Sequence, residues 1–266
     1  CISSDFFNYK RLLMIDVIIV PALSDNYIYI LTDKESGVTA CVDPCVSELV
    51  LKTLELNNLK LDFILNTHHH HDHVGGNLEL KKKTNCKILG ANIDRKRIPE
   101  IDITIKNEET FKLGSSIFKV HETPGHTIGH IIYHFFEDKI LFCGDTLFSF
   151  GCGRIFEGTQ EQMLESLKLI KSFPNETLVY CGHEYTESNL EFAISLTPND
   201  QVLSSKFREI QKLRNKGNPS VPSKLEVEKK INPFFRVNDK KFKEDTGLTG
   251  EELENFKKIR KMKDEF

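Results

Sequence analysis

The sequence predicts a domain that mixes β-strands with α-helices, followed by a smaller domain built from helices. Short apolar or β-branched runs, bounded by glycine, proline or charged residues, recur up to about residue 184 and are typical of strands. Segments with apolar residues at helical spacing separate these runs, and only such segments remain afterwards. We therefore divide the chain into an N-terminal extension at 1–13, a mixed domain at 14–184 and a helical domain at 185–266.

The elements are predicted in chain order from these patterns. Strands are expected at 15–20, 27–32, 38–42, 63–65, 87–90, 101–105, 116–121, 131–136, 139–143 and 177–181. Helices are expected at 47–57, 77–83, 160–172, 188–196, 202–216, 225–230 and 250–261. The first strand ends at Pro21, because proline cannot donate to a sheet ladder. A polar turn at 33–37 makes the second and third strands a hairpin, and Ser47 is expected to cap the first helix.

Composition and charge are those of a soluble globular protein. Hydrophobic residues make up 39% of the chain and charged residues 28%, and 36 Lys and Arg against 39 Asp and Glu leave a formal net charge of −3. Neither nucleic acid nor a membrane surface is therefore expected as a partner. No apolar stretch approaches the roughly 20 residues of a membrane span. The seven cysteines form an odd set without C-x-x-C spacing, so we expect reduced thiols and a cytoplasmic location.

Residues 1–13 are predicted to lie outside the core, because the first strand follows Met14. The chain as given begins at Cys1 rather than at methionine. Aromatic residues and an aspartate make these positions a weak candidate for the remainder of a targeting peptide. Organelle targeting through such an extension stays open.

The most informative stretch is the histidine-rich segment at 67–77, which directly follows the predicted strand at 63–65. Five histidines and one aspartate fall within six consecutive positions, and imidazole and carboxylate are common metal ligands. A helix would point residues two apart to nearly opposite faces, whereas a loop that leaves a strand can direct them toward a pair of ions. We expect four of these residues to be ligands, namely His68, His70, Asp72 and His73. His69 and His71 are expected to be spacers or supporting groups.

Three later segments each place a further ligand-type residue beside a glycine, at a turn or strand end. An isolated Gly-Asp or Gly-His is usually a turn residue, but two ions with open positions for water need about six or seven protein ligands. The first ligand group is predicted to contain His68, His70 and His126. The second ligand group is predicted to contain Asp72, His73 and His183. Asp145 is expected to bridge the two groups, and His130 either to pack around them or to hydrogen-bond to their members.

Four motifs that contain these residues occur in a fixed order. They read Thr-His-x-His-x-Asp-His, Thr-Pro-Gly-His-Thr-x-Gly-His, Gly-Asp-Thr-Leu-Phe with Gly-Cys-Gly-Arg-x-Phe-Glu-Gly-Thr, and Gly-His-Glu-Tyr-Thr. Over 14–266 the chain resembles the metallo-β-lactamase superfamily and, within it, the glyoxalase II (hydroxyacylglutathione hydrolase) family. The resemblance implies an α+β fold, in which a metallo-β-lactamase-like αββα sandwich carries the metals at one edge. A smaller all-helical C-terminal domain would help to hold the glutathione part of the substrate.

The activity implied by the resemblance is hydrolysis of S-D-lactoylglutathione, and of other S-(2-hydroxyacyl)glutathione thioesters, to D-lactate or the corresponding acid and glutathione. This reaction is the second step of methylglyoxal detoxification. Two divalent metal ions, zinc with iron or manganese as alternatives, would lower the pKa of a shared water and leave a bridging hydroxide as nucleophile. Asp72 and Asp145 are the carboxylates expected to take part in catalysis, and the protein is expected to be a monomer or a weak homodimer.

Glutathione carries carboxylates, so cationic side chains are expected in its pocket. The resemblance assigns four positions to that pocket, namely Arg154, Tyr185, Arg260 and Lys263. Spacing alone would instead make the last two part of a solvated, positively charged run at 257–263. Phe156 stands where other family members carry a tyrosine, so a hydroxyl contact is absent there and only apolar packing with the substrate is expected.

Three competing functions are weighed against the hydrolase. A persulfide dioxygenase of the same superfamily would use a single iron and would lack a comparable helical tail. A metal-dependent nuclease of the same fold would need a basic surface, which the charge balance does not indicate. A metal-binding protein without catalysis would need a defective ligand set, whereas all seven predicted positions are filled.

Overall fold

The computed structural model describes residues 14–266, so the predicted extension at 1–13 lies outside the described residues. Within 14–266 the strands are β1 (Ile15–Ala22), β2 (Asn26–Asp33), β3 (Thr39–Val42), β4 (Phe63–Leu65), β5 (Lys87–Ala91), β6 (Ile103–Ile105), β7 (Thr110–Leu113), β8 (Ser116–Glu122), β9 (Ile131–Phe135), β10 (Ile140–Gly144), β11 (Leu147–Phe148), β12 (Gly151–Cys152), β13 (Leu178–Cys181) and β14 (Ser223–Lys224). The helices of the same range are α1 (Ser47–Leu56), α2 (His71–Val74), α3 (Asn77–Thr84), α4 (Gln160–Ser172), α5 (Thr186–Leu196), α6 (Gln201–Arg214), α7 (Leu225–Ile231), α8 (Lys240–Thr246) and α9 (Glu252–Glu265).

Two six-stranded sheets form the centre of the fold. The first has the order β1-β2-β3-β4-β5-β6 and is antiparallel as far as β3 and parallel from β3 onward. The second has the order β14-β13-β10-β9-β8-β7, in which β10 and β13 are the parallel pair. β11 and β12 form a separate hairpin. Parallel neighbours end at the same edge of a sheet, where loops that carry functional residues commonly meet.

Helices cover the outer faces of the two sheets, which gives four layers. Along β2, Ile28 and Ile30 pack in the cluster that contains residues of α1 and α3, while Tyr29 and Leu31 pack in the cluster shared with the second sheet. This division follows the two-residue period of a strand. The apolar side of α4 packs in the same cluster as Tyr29 and Leu31. Each fully buried large apolar side chain contributes about 1.5–3 kcal/mol to the stability of the fold. The predicted α+β sandwich is confirmed.

The part of the chain after β13 is mostly helical. α5 and α6 pack against each other through Leu190 and Leu203, which share a buried cluster with Phe150 of the β11–β12 hairpin. α9 contacts α4, so the C-terminal helices adjoin the second sheet. No helix within residues 14–266 is both long and apolar enough to cross a membrane.

Every predicted strand and helix is present within a few residues of its expected bounds. The unpredicted elements are β7, β11, β12, β14, α2 and α8, which contain two to seven residues and are too short for a clear periodic pattern. The cap prediction for Ser47 is wrong. Ser47 is the first residue of α1, and Val46 occupies the capping position without a side-chain hydrogen bond.

A buried carboxyl group in α7 supports the β11–β12 hairpin. Glu228 Oε2 accepts hydrogen bonds from Phe150 N at 2.8 Å and from Asn232 Nδ2 at 3.0 Å, and Asn232 Nδ2 also donates to Gly151 O at 3.1 Å. Phe150 has a φ of 61°, a conformation that non-glycine residues rarely adopt. Because Glu228 is fully buried, burial raises its pKa to about 7, although the hydrogen bonds oppose the shift.

We expect Glu228→Gln to stabilise the fold above pH 7. A carboxyl group whose pKa is higher in the folded than in the unfolded chain stabilises the fold below its unfolded pKa, and that contribution is lost as pH rises from about 4.5 to about 7. Glutamine keeps an acceptor oxygen but has no charge. Denaturant unfolding should therefore give similar stabilities at pH 4.5 and a variant more stable by about 1–3 kcal/mol at pH 8. Glu226→Gln on the same helix is the control, and a pH-independent difference would contradict the prediction.

Candidate metal centre

The residues predicted as ligands meet at one edge of the sandwich. His68 follows β4 of the first sheet, and His73 lies in α2 just beyond it. His126 lies in the loop after β8, Asp145 follows β10 and His183 follows β13, all in the second sheet. Both sheets therefore contribute side chains to one cluster.

The first ligand group consists of three imidazoles. His68 Nε2 and His126 Nε2 lie 3.1 and 3.0 Å from His70 Nδ1. Ligand atoms of the three side chains lie within 4.8 Å of one another, close enough to hold one metal ion. His68 and His126 are buried and His70 is partly buried.

The second ligand group combines a carboxylate with two imidazoles. Asp72 Oδ2 lies 3.6 Å from His73 Nε2 and 3.4 Å from His183 Nε2, and this group too could hold an ion. Sequence reasoning placed Asp72 and His73 in a loop, but they belong to the one-turn helix α2. The two residues of the first group from this segment, His68 and His70, precede that helix.

Asp145 lies between the two groups. Its Oδ2 is 3.5 Å from His126 Nε2 and 3.3 Å from His183 Nε2, and its Oδ1 is 3.5 Å from His73 Nε2. Gly144 makes this approach possible, because it has a φ of 47° and a Cβ there would lie 2.5 Å from Thr67 Oγ1. The Asp145 carboxylate therefore faces nitrogens of both groups.

The donor set fits divalent metal ions. Within the part of the chain that the structure describes, His73 Nε2 and Asp145 Oδ1 are buried and make no hydrogen bond, and a buried polar atom left unpaired is costly unless it has another ligand. Imidazole nitrogen and carboxylate oxygen are the atoms that zinc and related ions bind in proteins. The geometry and the chemistry of these atoms agree with use of divalent metals.

Burial and the neighbouring charges shift the pKa values of the clustered histidines and of Asp145. Burial lowers the pKa of His68 and His126, which favours neutral imidazoles able to act as ligands. Burial also acts to lower the pKa of His183, but the Asp145 carboxylate and hydrogen bonds raise it to about 10. Burial opposes ionisation of Asp145, yet the charges of His73 and His183 hold its pKa well below the ordinary value. Metal binding would therefore displace protons from the imidazoles.

Four of the ligand imidazoles are held through their Nδ1 atoms. The pairs are His68 Nδ1–Thr67 Oγ1 at 3.0 Å, His73 Nδ1–Asp43 Oδ2 at 3.0 Å, His126 Nδ1–Arg154 O at 2.8 Å and His183 Nδ1–Asp25 Oδ1 at 2.8 Å. Thr67 Oγ1 donates to Asp43 Oδ2, so it accepts from His68. An N–H at Nδ1 leaves the Nε2 lone pair directed at the cluster.

Sequence reasoning missed Asp25 and Asp43, although both adjoin strand ends. Asp43 directly follows β3, and Asp25 directly precedes β2. Position at a strand end was the signal that identified Asp145. Neither aspartate is accompanied by a glycine-histidine or histidine-rich motif, and their partners are distant in sequence.

The remaining nearby histidines have supporting positions. His130 Nε2 accepts a hydrogen bond from Asp145 N at 3.0 Å, which is one of the two arrangements expected for it. His69 lies 3.3 Å from Asp94 Oδ2 and also contacts Arg97. His71 is the exposed first residue of α2. None of the three belongs to either ligand group.

A cleft of about 650 Å³ adjoins the cluster. Its lining includes residues of both ligand groups and every predicted substrate-binding residue, namely Arg154, Phe156, Tyr185, Arg260 and Lys263. Ser188, Asn189 and Glu191 of α5 were not predicted but line the cleft as well. These three residues were missed because helical spacing in the sequence does not distinguish a position that faces a cleft from one that faces solvent.

Aromatic rings connect the cleft to the ligands. The Tyr185 ring stacks on the His183 ring with centroids 4.9 Å apart and planes 2° from parallel. Phe156, with 64% of its surface exposed, meets His126 edge-on at 5.2 Å. Its apolar surface is thus available at the mouth of the cleft.

The two basic residues of α9 that line the cleft, Lys263 and Arg260, have different surroundings. Lys263 Nζ donates to Ser188 O at 3.1 Å, and burial lowers the pKa of Lys263 to about 8, with a contribution from the nearby Arg260 charge. Arg260 is only 2% exposed and donates to Cys152 O and Asp264 Oδ1, each at 2.9 Å. Arg260 therefore joins α9 to β12 in addition to lining the cleft.

The architecture and the ligand motifs define the class of protein. The family model of the metallo-beta-lactamase superfamily matches residues 32–183. The structure resembles that of ETHE1 from Myxococcus xanthus with a TM-score of 0.65 and 23% identity over 92% of this chain and 90% of the other. It also resembles BLEG-1 B3 metallo-beta-lactamase with a TM-score of 0.59 and 24% identity over 63% of this chain and 91% of the other. The chain belongs to the metallo-β-lactamase superfamily.

Comparison with curated proteins narrows this class. A model of the hydroxyacylglutathione hydrolase C-terminus matches residues 184–266. The hydroxyacylglutathione hydrolase of Methylococcus capsulatus is 46% identical over 95% of this chain and 99% of its own length. That of Rhodospirillum rubrum is 45% identical over 95% and 99% of the two chains. Within the superfamily, the chain belongs to the hydroxyacylglutathione hydrolase family.

We expect Asp145→Ala to lose bound metal as well as activity, because Asp145 faces both ligand groups. Elemental analysis of the purified variant should give fewer than two ions per chain, and adding zinc to the chelator-treated variant should raise its Tm less than that of the wild type. Asp16→Ala, at an exposed ion pair with Lys34, is the control. Full metal occupancy in the Asp145 variant would argue against a bridging carboxylate.

Proposed function

We propose that this protein hydrolyses S-D-lactoylglutathione, and other S-(2-hydroxyacyl)glutathione thioesters, to the hydroxy acid and glutathione. The observation that carries the proposal is the position of Asp145 between two groups of metal-ligand atoms, beside a cleft lined by Arg154 and Lys263. Relatives at 46% and 45% identity that carry the hydroxyacylglutathione hydrolase name support the substrate class.

In this proposal the first ligand group would hold one ion and the second group another, and Asp145, whose oxygens face both groups, would be a ligand that they share. Bound divalent ions supply a water of lowered pKa and polarise the substrate carbonyl. We propose zinc as the principal occupant, and the same nitrogen and oxygen donors also accept iron or manganese. The role of His126, His183 and the other ligands is to hold these ions, while Asp43 and Asp25 fix the imidazole tautomers.

The cysteines near the cleft support attack by water rather than by a protein thiol. Cys152 lines the cleft, and burial raises the pKa of its thiol to about 11, although the Arg260 charge opposes the shift. Burial raises the pKa of Cys181 to about 12. Both groups are protonated near neutral pH, and the thiol is a much weaker nucleophile than the thiolate.

The glutathione part of the substrate is proposed to bind between the two parts of the chain. We propose a catalytic domain at 14–184, which carries the metal ligands and Arg154, and a helical domain at 185–266, which contributes Tyr185 and Lys263. The positive charges suit the carboxylates of glutathione. Cleavage of the thioester carbon–sulfur bond releases glutathione as a thiolate, which leaves without needing a proton from the protein.

The relatives favour the hydrolase over a persulfide dioxygenase. The C-terminal model, which matches residues 184–266, covers Arg260 and Lys263 of the cleft. The test is hydrolysis of S-D-lactoylglutathione by purified, metal-analysed protein, followed through loss of the thioester and release of free thiol. Oxygen consumption with glutathione persulfide, without thioester cleavage by protein that holds two ions, would overturn the proposal.

We expect Lys263→Met to raise KM for the glutathione thioester far more than it lowers kcat, because Lys263 lies on the helical side of the cleft beside Ser188 and is proposed to bind the glutathione part of the substrate rather than its reacting carbonyl. The wild-type KM should also rise as pH increases through about 8, where free Lys263 loses its charge, and the KM of the variant should lack this dependence. Lys261→Met, at a 77%-exposed side chain of the same helix, is the control. An unchanged KM would remove Lys263 from the site.

A further inference from the structure

The turn between β1 and β2 reaches from the first sheet to the segment that carries His183. Glu184 N donates to Asp25 O at 2.7 Å, and Tyr27 N donates to Gly182 O at 2.8 Å. Asn26 and His183 form an isolated antiparallel bridge between these backbone segments. Backbone hydrogen bonds on both sides of His183 therefore fix the turn against this ligand.

The side chains of Asp25 in this turn and of Asn26, the first residue of β2, hold two members of the second ligand group. Asp25 Oδ1 accepts the hydrogen bond of His183 Nδ1 at 2.8 Å. Asn26, only 6% exposed, donates through Nδ2 to Asp72 Oδ2 and to Asp72 O, each at 3.1 Å. Asp72 Oδ2 is the oxygen that faces the imidazoles of His73 and His183. The turn thus orients a nitrogen ligand and an oxygen ligand at once.

The first ligand group is held by other parts of the chain. Within residues 14–266, neither the Asp25 nor the Asn26 side chain has a hydrogen bond to His68, His70 or His126. The outer nitrogens of His68 and His126 instead meet Thr67 Oγ1 and the Arg154 carbonyl. Asp25 and Asn26 therefore support the second group alone, whereas Asp43 supports both groups, directly at His73 and through Thr67 at His68.

We propose that Asp25 and Asn26 are positioning residues that set the metal affinity of the second ligand group independently of the first. The inference rests on the proposed assignment of one ion to each group. Without Asp25 the His183 ring loses the acceptor that fixes its tautomer and orientation. Without Asn26 the Asp72 carboxylate loses a donor that directs Oδ2 at the imidazoles. Removal of such an outer partner weakens metal binding by about 10–100-fold.

The experiment is a competitive zinc titration of chelator-treated full-length protein, carried out on Asp25→Ala and Asn26→Ala. Each variant should retain one ion with wild-type affinity and bind the second about 10–100-fold more weakly. Anomalous diffraction from crystals at limiting zinc should locate the retained ion at His68, His70 and His126. Asp25→Asn, which keeps an acceptor oxygen, should recover most of the lost affinity.

Asp33→Asn is the matched control. Asp33 lies at the other end of β2, is fully buried, and accepts hydrogen bonds from Ser36 and Ser116. Loss of its carboxylate therefore tests whether general destabilisation around β2 is enough to weaken metal binding. The control should bind two ions as the wild type does. Unchanged affinity for both ions in the two alanine variants, equal weakening of both ions, or the same selective loss in the Asp33 variant would overturn the proposal. Zinc affinity is measured without substrate, so a failure of this inference can be distinguished from a failure of the proposed thioester hydrolysis.

Discussion

A buried carboxylate among imidazoles is the constraint around which the ligand edge of the fold is arranged. Asp145 is 5% exposed and, among residues 14–266, has no lysine or arginine paired with it, so its charge depends on histidines and on the metal ions that they can hold. A buried charge is tolerated only when it is paired or coordinated. Four strand ends from two sheets must therefore meet within a few ångströms, and the sandwich provides this because β10 and β13 are parallel and end together.

Where a predicted ligand belongs to a local motif after a strand, sequence reasoning selected residues that the structure brings together in one cluster. His68 and His70 lie within four positions of Asp72 in the chain, and Asp145 follows a glycine whose backbone conformation few other residues adopt. The same reasoning could not find Asp25, because its partner His183 is 158 positions away and the contact exists only after the sheets pack. The role predicted for Arg260 was also incomplete, because it too depends on a contact between distant parts of the chain. A basic residue in an amphipathic helix can be solvated, bind substrate or join elements, and only the packed structure identifies Cys152 O as its acceptor.

The cleft depends on packing between distant parts of the chain. The β11–β12 hairpin supplies Phe148 and Cys152 to the cleft wall. Glu228 of α7 and Asn232, which directly follows α7, fix the turn between these strands. The helices after β13 thus do two things. They contribute side chains such as Lys263 to the cleft, and they hold a hairpin of the preceding part in the conformation that completes the wall.

The parallel stacking of Tyr185 on His183 has a thermodynamic consequence. One face of a proposed metal ligand is covered by a ring that also lines the cleft. An ion that restrains the imidazole would also narrow the conformations open to the tyrosine, and a ligand that restrains the tyrosine would do the same for the imidazole. Coupling between two binding equilibria is reciprocal. Binding of a glutathione conjugate in the cleft would then raise the affinity of the second ligand group for its ion, because both binding equilibria restrain the same pair of rings.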